Sequence, residues 1–294
     1  MTQAMSPARI ARAFSYASGL PGVQGQVVRT VETITGRPAL VRRARGYDAD
    51  LARGDDFWAV MARRYGLRLD LVGRALADVP RDGPLVVVAN HPFGILDGLM
   101  MGHILSQVRG GDFRILAHQV FGRAPELEGA ILPIDFSETP QATRDNVATR
   151  RAALDYLSAG GAVGIFPGGT VSTPARPFGQ PMDPAWRLFT ARMVLRSRAT
   201  VVPVFFEGAN SRLFHIASHL SYALRMGLLL KEFRARTDRP VRATIGAAIG
   251  PERLAAYAAD PRALMAYLRQ RTYGLSPDPL DWRAQGYEFE ARHR

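Results

Sequence analysis

The sequence predicts an α/β protein with a mostly parallel sheet flanked by helices on both faces. Three observations predict it. Short apolar runs of strand length recur along the chain. Segments with apolar residues three or four apart separate them, and three strand ends empty into polar, glycine-bearing turns. A length of 294 residues suits one large domain of this class or two small ones. Hydrophobic content of 47% against 22% charged residues excludes wholesale disorder.

Residues 1–65 read as a basic helical extension, packed on the core or on a membrane. Up to residue 45, seven arginines (Arg9, Arg12, Arg29, Arg37, Arg42, Arg43 and Arg45) stand against the single acid Glu32. Ile10, Ala13, Phe14 and Ala17 make one apolar stripe, and Val23, Val27, Val31 and Ile34 a second, with Gly19-Leu20-Pro21-Gly22 between them. Such a segment suits an anionic bilayer surface or a pair of helices packed on the domain. Residues 48–65 read as one helix, with Leu51, Phe57, Trp58, Val60 and Met61 on its apolar side.

The α/β domain is expected over 66–275. Residues 67–71 alternate as a strand, and 85–89 form a buried one. Asn90-His91-Pro92-Phe93-Gly94 stops that strand, and apolar periodicity resumes at Ile95 for a helix starting near Asp97. Strands over 113–117 and 129–134, a helix over 142–157 and a buried strand over 162–166 come next. A helix over 185–198, behind Asp183-Pro184, leads to a strand over 200–206 that carries Pro203. One long helix spans 213–233, with Leu224, Leu228 and Leu229 suiting a buried or a membrane-dipping face. A strand over 241–249 and helices around Leu254 and over 264–273 close the domain. The tail 276–294, rich in proline and charge, straps the surface or frays.

The formal charge is +12, and Lys231 is the only lysine. An arginine excess suits phosphate backbones or anionic lipid head groups, and codon use in a GC-rich genome produces it too. The absence of cysteine excludes disulfides, thiolate metal sites and a cysteine nucleophile. No run approaches the ~18 apolar residues of a membrane helix, and the N-terminus has no apolar core of a secretory signal. A cytosolic or peripheral membrane protein is expected.

Three strand ends should meet at one rim, where open α/β sheets bind ligands. The first carries His91 and Asp97; taken alone, it also fits an ordinary turn with a helix-capping Asp. The second is Phe166-Pro167-Gly168-Gly169-Thr170-Val171-Ser172, whose backbone N–H groups suit an anion or an oxyanion. It is not a P-loop, since the GxxxxGK[ST] spacing and its lysine are missing. The third holds Glu207, Asn210, Ser211 and Arg212.

Together these residues resemble the lysophospholipid and glycerol-phosphate acyltransferase family. Asn90-His91 through Asp97 is similar to its first block, and residues 129–135 (Gly-Ala-Ile-Leu-Pro-Ile-Asp) to its second. Phe166 to Ser172 stands where the family has Phe-Pro-Glu-Gly-Thr-Arg-Ser, and Val202-Pro203-Val204 stands for the fourth block. Residues 132–139 and 206–214 look more like the bacterial subgroup labelled hemolysin-like acyltransferases. The resemblance implies an O-acyltransferase moving an acyl group from acyl-carrier protein or acyl-CoA to a lyso-lipid hydroxyl, in bacterial membrane lipid synthesis. It implies His91 as general base, Asp97 orienting and stabilising its ring, and an oxyanion held by N–H groups around Gly168 and Gly169. Substrate contacts are expected from Asn90, Phe93, Gly94, Pro167, Gly168, Gly169, Thr170, Ser172, Glu207, Asn210 and Arg212. Leu99, Met100, Met101 and Ile104 are candidates for an acyl channel, with core packing the expected role for most of them. The protein would act on the cytoplasmic side of the bacterial inner membrane, with no bound cofactor, metal or nucleic acid.

The chain departs from the family pattern in three places. Five residues, not four, separate His91 from Asp97. The second block ends Asp135-Phe136 without the arginine that meets an acceptor phosphate. In the third, Gly168 replaces glutamate and Val171 replaces arginine. Arg144, Arg150, Arg176 or Arg212 would have to compensate, or the acceptor is a lyso-lipid with another head group, such as a lyso-aminolipid. Two other functions compete: a thioester or lipid hydrolase on the same scaffold, and a basic membrane- or nucleic-acid-binding protein. No zinc-finger or RNP pattern supports the latter. His215 and His219 have the spacing of two metal ligands, without the metalloprotease glutamate, and His118 ends a strand at the rim.

Overall fold

A computed structural model describes residues 15–19, 22–118, 125–127, 129–135 and 139–289. Ile10, Ala13 and Phe14 of the first predicted stripe lie outside the described residues. Seven strands form one sheet among the described residues: β1 (Arg68–Gly73), β2 (Leu85–Ala89), β3 (Arg114–His118), β4 (Ile131–Ile134), β5 (Ala162–Ile165), β6 (Thr200–Phe206) and β7 (Pro240–Ile245). Their order is β1-β7-β6-β2-β5-β3-β4. All pairs are parallel except β6 with β7.

The central strand explains why its sequence is apolar at every position. β2 lies between β5 and β6, and all five of its residues are buried. A parallel strand covered on both faces needs no polar side. Leu85, Val87 and Ala89 join one core layer, while Val86 and Val88 join the other, as a two-residue period requires.

Among the described residues, four α-helices precede the sheet: α1 (Gly22–Thr35), α2 (Arg37–Ala44), α3 (Tyr47–Ala52) and α4 (Phe57–Arg64). Those that follow are α5 (Ile95–Arg109), α6 (Pro140–Ser158), α7 (Leu188–Ser197), α8 (Arg212–Leu220), α9 (Tyr222–Arg236), α10 (Pro251–Ala255) and α11 (Pro261–Tyr273). Residues of α4, α5 and α9 pack in the first core layer, and residues of α6, α7 and α11 in the second.

Several predicted boundaries move, each for a local reason. The helix expected over 48–65 is two helices. Gly54 takes a positive φ of 88°, and Asp56 then caps α4 by accepting the Ala59 N–H at 2.8 Å. The helix expected over 213–233 breaks at Ser221, which is extended (φ −157°, ψ 131°) and caps α9. Leu228, Leu229 and Leu230 of α9 are buried, as for a core helix, while Leu220 is exposed. The helix expected from 185 starts at Leu188, because Arg187 is extended (φ −74°, ψ 134°), with its N–H on the Pro167 carbonyl at 2.9 Å. The last strand ends at Ile245. Gly246 then donates to the Pro203 carbonyl at 2.9 Å, so Pro203 sits where β7 leaves β6.

The second apolar stripe is also corrected. Val28, Gly25 and the acid Glu32 form the buried side of α1, while Val23 and Ile34 are 75% and 77% exposed. Burial pushes the Glu32 carboxyl up; hydrogen bonds from Ser15 Oγ (2.7 Å) and the Tyr16 N–H (2.8 Å) draw it back. Among the described residues, no helix is long and apolar enough to cross a membrane.

Candidate active site

The site starts where β2 ends. Asn90, the first residue beyond it, spends its side chain on the neighbouring strand: Oδ1 accepts the Phe206 N–H at 2.7 Å and Nδ2 donates to the Phe206 carbonyl at 2.9 Å. The chain then turns through His91 to Gly94. Gly94 adopts φ 89°, open to glycine at little cost, and α5 begins at Ile95. This turn absorbs the extra residue between His91 and Asp97. Asp97 falls in the first helical turn, and its Oδ2 accepts the N–H groups of Phe93 (2.9 Å) and Gly94 (3.0 Å).

His91 Nδ1 lies 2.9 Å from the same oxygen. The N–H of that ring nitrogen is not aligned on the carboxylate, and Asp97 Oδ1 has no hydrogen-bond partner among the described residues. Asp97 is completely buried, and burial pushes its carboxyl up, with His91 and the two backbone N–H groups opposing that shift. The His91 ring stacks on Phe166, centroids 4.1 Å apart and planes at 23°, which limits its rotation.

A buried carboxylate in the segment before α7, Asp183, ties the turns together. Asp183 Oδ1 accepts the His91 N–H at 3.1 Å and the Ser172 hydroxyl at 2.5 Å, while Oδ2 accepts Trp186 Nε1 at 2.9 Å. Ser172 in turn donates its backbone N–H to the His91 carbonyl at 2.7 Å. His91 is therefore held from β2, from the turn after β5 and from the loop before α7.

His91 opens onto a cavity of about 1310 Å³. One arm runs over the first core layer and is apolar, with Trp58, Met61, Leu99, Met226, Leu229 and Phe233 among its walls. Of the predicted channel residues, only Leu99 lines it. Met100, Met101 and Ile104 are core residues, Met101 packing where Gly164 leaves no room for a Cβ. The other arm lies between α6 and α7 and is lined by arginines. His118 also lines the cavity, edge-on to Tyr16.

The remaining predicted residues divide. Gly94, Pro167, Gly169 and Thr170 line the cavity with His91. Gly169 donates its N–H to the Phe166 carbonyl at 2.9 Å, which removes it as an oxyanion donor. Gly168 packs against Asp183 and Pro184. Asn90, Ser172 and Glu207 border a second, polar cleft, and Glu207 lies 3.8 Å from Arg242. Phe93 is buried under the Arg236 guanidinium, 4.4 Å from its ring centre. Asn210 Nδ2 reaches the Phe93 carbonyl at 3.5 Å, and Arg212 is exposed at the start of α8. His219 Nε2 meets the Pro174 carbonyl at 3.0 Å. His215 is buried against Phe214, and that burial pushes its ring down to about 4.

Arg225 was not anticipated. It projects from α9, is 2% exposed and lines the cavity. Its Nη1 donates to Thr173 Oγ1 (2.7 Å) and Ser218 Oγ (3.0 Å); its Nη2 donates to Thr170 Oγ1 (3.0 Å) and the Val171 carbonyl (2.9 Å). Burial pushes it down to about 9. A guanidinium thus stands against residue 171, where the family pattern carries an arginine in sequence.

Comparison with known proteins finds matches among acyltransferases. A family model described as "Acyltransferase" matches residues 45–280. A lyso-glycine lipid O-acyltransferase of Phocaeicola vulgatus is 27% identical over 171 residues, which is 58% of this chain and 58% of that protein. One of Bacteroides thetaiotaomicron is 25% identical over 151 residues, 51% of this chain and 53% of that protein. The chain matches little more than half the length of these curated relatives. The crystal structure of a 1-acyl-sn-glycerophosphate acyltransferase, PlsC, from Thermotoga maritima aligns over 76% of this chain and 83% of that one. Its TM-score is 0.45 and its identity 15%.

Proposed function

The chain belongs to the acyltransferase family, and from that premise we propose that it transfers an acyl group from a thioester donor to the hydroxyl of a lyso-lipid, with His91 as general base. The observation that carries this reading is the contact of His91 Nδ1 with buried Asp97 at the mouth of an apolar cavity. With Nδ1 turned to Asp97, Nε2 is the nitrogen that meets substrate.

In the proposed step, Nε2 takes the acceptor's hydroxyl proton as its oxygen attacks the thioester carbonyl. The carbonyl π pair moves to oxygen, and the Thr170 N–H, in the cavity wall, is proposed to donate to that oxyanion. As the tetrahedral species collapses, the C–S bond breaks and the leaving thiolate takes the proton from the imidazolium. Asp97 stabilises that imidazolium through the contact it already makes. No acyl-enzyme forms, so no serine or cysteine nucleophile is called for.

For the acceptor, the curated relatives are named for a lyso-glycine lipid. A lyso-lipid with an amino-acid head group fits this chain as well, since Arg225 is a buried cation in the cavity wall beside Thr170. Accepting from Arg225 leaves the Thr170 hydroxyl its own proton to donate to an anionic head group. For the membrane, exposed Val23 and Ile34 on α1 and Leu213 and Leu220 on α8 support peripheral binding, on the cytoplasmic face of the bacterial inner membrane, by helices that both pack on α9.

The test is a labelled palmitoyl thioester supplied with and without a lyso-lipid acceptor. Transfer is expected to require the acceptor. Release of free fatty acid at the same rate without it would make the protein a hydrolase instead.

A further inference from the structure

The arm of the cavity between α6 and α7 has no part in the acceptor chemistry described so far. α6 presents residues 143, 146, 147, 150, 151, 154 and 155 to it, and α7 presents 189, 190, 192, 193 and 196. Both sets recur at three- and four-residue steps, so each helix turns one continuous face to the crevice. Five arginines stand on these faces or just before α7: Arg150, Arg151, Arg187, Arg192 and Arg196. Arg151 lies 3.9 Å from Asp155, and Arg187 is 2.9 Å from Glu288. That leaves three without an ion-paired carboxylate among the described residues. Arg150 lies over the Phe189 ring, 5.5 Å from its centre, and Arg192 and Arg196 line the crevice with their side chains exposed.

The crevice joins the reacting centre by a short path. His91 stacks on Phe166, Pro167 follows it in sequence, and the Pro167 carbonyl receives the Arg187 N–H at 2.9 Å. From Arg187, α7 descends away from the rim, carrying Arg192 and Arg196 one turn apart. The nine residues from Arg187 to Arg196 span about 14 Å at the helical rise. A cation row of this length, leading off a site that handles a thioester, calls for a ligand with its anionic group at the far end of a long neutral arm.

We infer that this crevice binds the phosphate-bearing pantetheine arm of the acyl donor; the inference rests on the thioester-dependent transfer proposed above. The arm shared by acyl-CoA and acyl-carrier protein runs through about thirteen bonds from sulfur to phosphorus. Extended, that is roughly 16 Å at ordinary bond geometry. With the thioester beside His91 and the acyl chain in the apolar arm, the phosphodiester reaches the arginines of α7. Guanidinium groups pair with phosphate by charge-assisted hydrogen bonds. The cavity's two arms then hold the two ends of one donor, and the acceptor enters on the Arg225 side.

The test compares four palmitoyl donors on the full-length protein: the N-acetylcysteamine thioester, which has no phosphate, the 4′-phosphopantetheine thioester, palmitoyl-CoA and palmitoyl-carrier protein. Wild type is expected to use the phosphopantetheine thioester with a donor KM roughly tenfold or more below that of the N-acetylcysteamine thioester. In Arg192→Ala/Arg196→Ala that ratio collapses toward one, and in the double lysine variant it largely returns. Alanine keeps the helix, and a thermal melt verifies it. A further gain with palmitoyl-CoA or with the carrier protein identifies the physiological source of the shared arm. The inference is overturned if the double alanine variant keeps the wild-type ratio, or loses activity equally on all donors. It is also overturned if the carrier protein alone shows an advantage, because the arginines would then read a protein surface. If wild type transfers from none of the four donors, the acyltransfer proposal itself fails.

Discussion

Gly98 offers a substitution that should raise stability and narrow the chain-length range together. It lies inside α5, one residue beyond Asp97, and lines the cavity. A Cβ built there meets no heavy atom within 4 Å. Glycine in a helix interior costs about 1 kcal/mol relative to good helix formers, so Gly98→Leu recovers about that amount. For 294 residues, unfolding entropy is about 0.6 kcal/mol/K, which converts the gain to about 1–2 °C in Tm. The four added carbons take the room of roughly four methylenes of a bound chain. At about 0.8 kcal/mol per buried methylene, the longest acyl donors lose about 3 kcal/mol, or roughly a hundredfold in kcat/KM. Donors about four carbons shorter lose little. The assay is thermal melting beside a profile of transfer against donor length from C8 to C18. A lower Tm, or a profile that falls evenly at all lengths, would refute the placement of Gly98 on the acyl wall.

Gly102, one turn further along α5, should behave in the opposite sense: its Cβ would fall 2.1 Å from the Trp58 ring, so Gly102→Ala is expected to destabilise by about 1–3 kcal/mol, read by urea titration. Asp97→Asn should lower kcat by about 10²–10⁴ without lowering stability at pH 7. Burial raises the folded Asp97 carboxyl above its unfolded value, so the folded state holds that proton more tightly and folding weakens as pH rises. The variant's stability advantage is thus present at neutral pH and fades as pH falls to about 4; denaturant midpoints at several pH values measure it. Arg225→Gln is expected to raise the acceptor KM at least about tenfold for anionic head groups relative to uncharged ones, in competition assays with paired acceptors.

The strands are legible because a buried parallel strand writes its burial directly into sequence: all five β2 residues are apolar, and all five are buried. The breaks within helices are less so, since Ser221 differs little in kind from serines that do not cap, and its role depends on how α8 and α9 settle against the core. His91 and Asp97 stand six residues apart, so one local turn brings them together and local reading suffices to pair them. Asp183 and Arg225 act across distance. Asp183 meets His91 from 92 residues away, and Arg225 meets Thr170 from 55. Asp183-Pro184 before a helix reads as a cap, and an arginine between Leu224 and Met226 reads as the polar side of an amphipathic helix. Only the absence of an arginine at position 171 hints that a cation is supplied from elsewhere. Asn90 shows the converse: it adjoins His91 in sequence, yet its amide fastens β2 to β6.

His91 is the group whose removal should abolish transfer while leaving the fold intact. His91→Ala and His91→Gln, assayed for transfer of a labelled palmitoyl group from thioester to a lyso-lipid with an amino-acid head group, should lose about 10²–10⁴ in kcat. Their melting temperatures should stay near that of wild type, because the side chain is 16% exposed and its backbone bonds to Asp183 and Ser172 remain. Wild-type turnover in a folded His91→Ala protein would show that His91 is not the base.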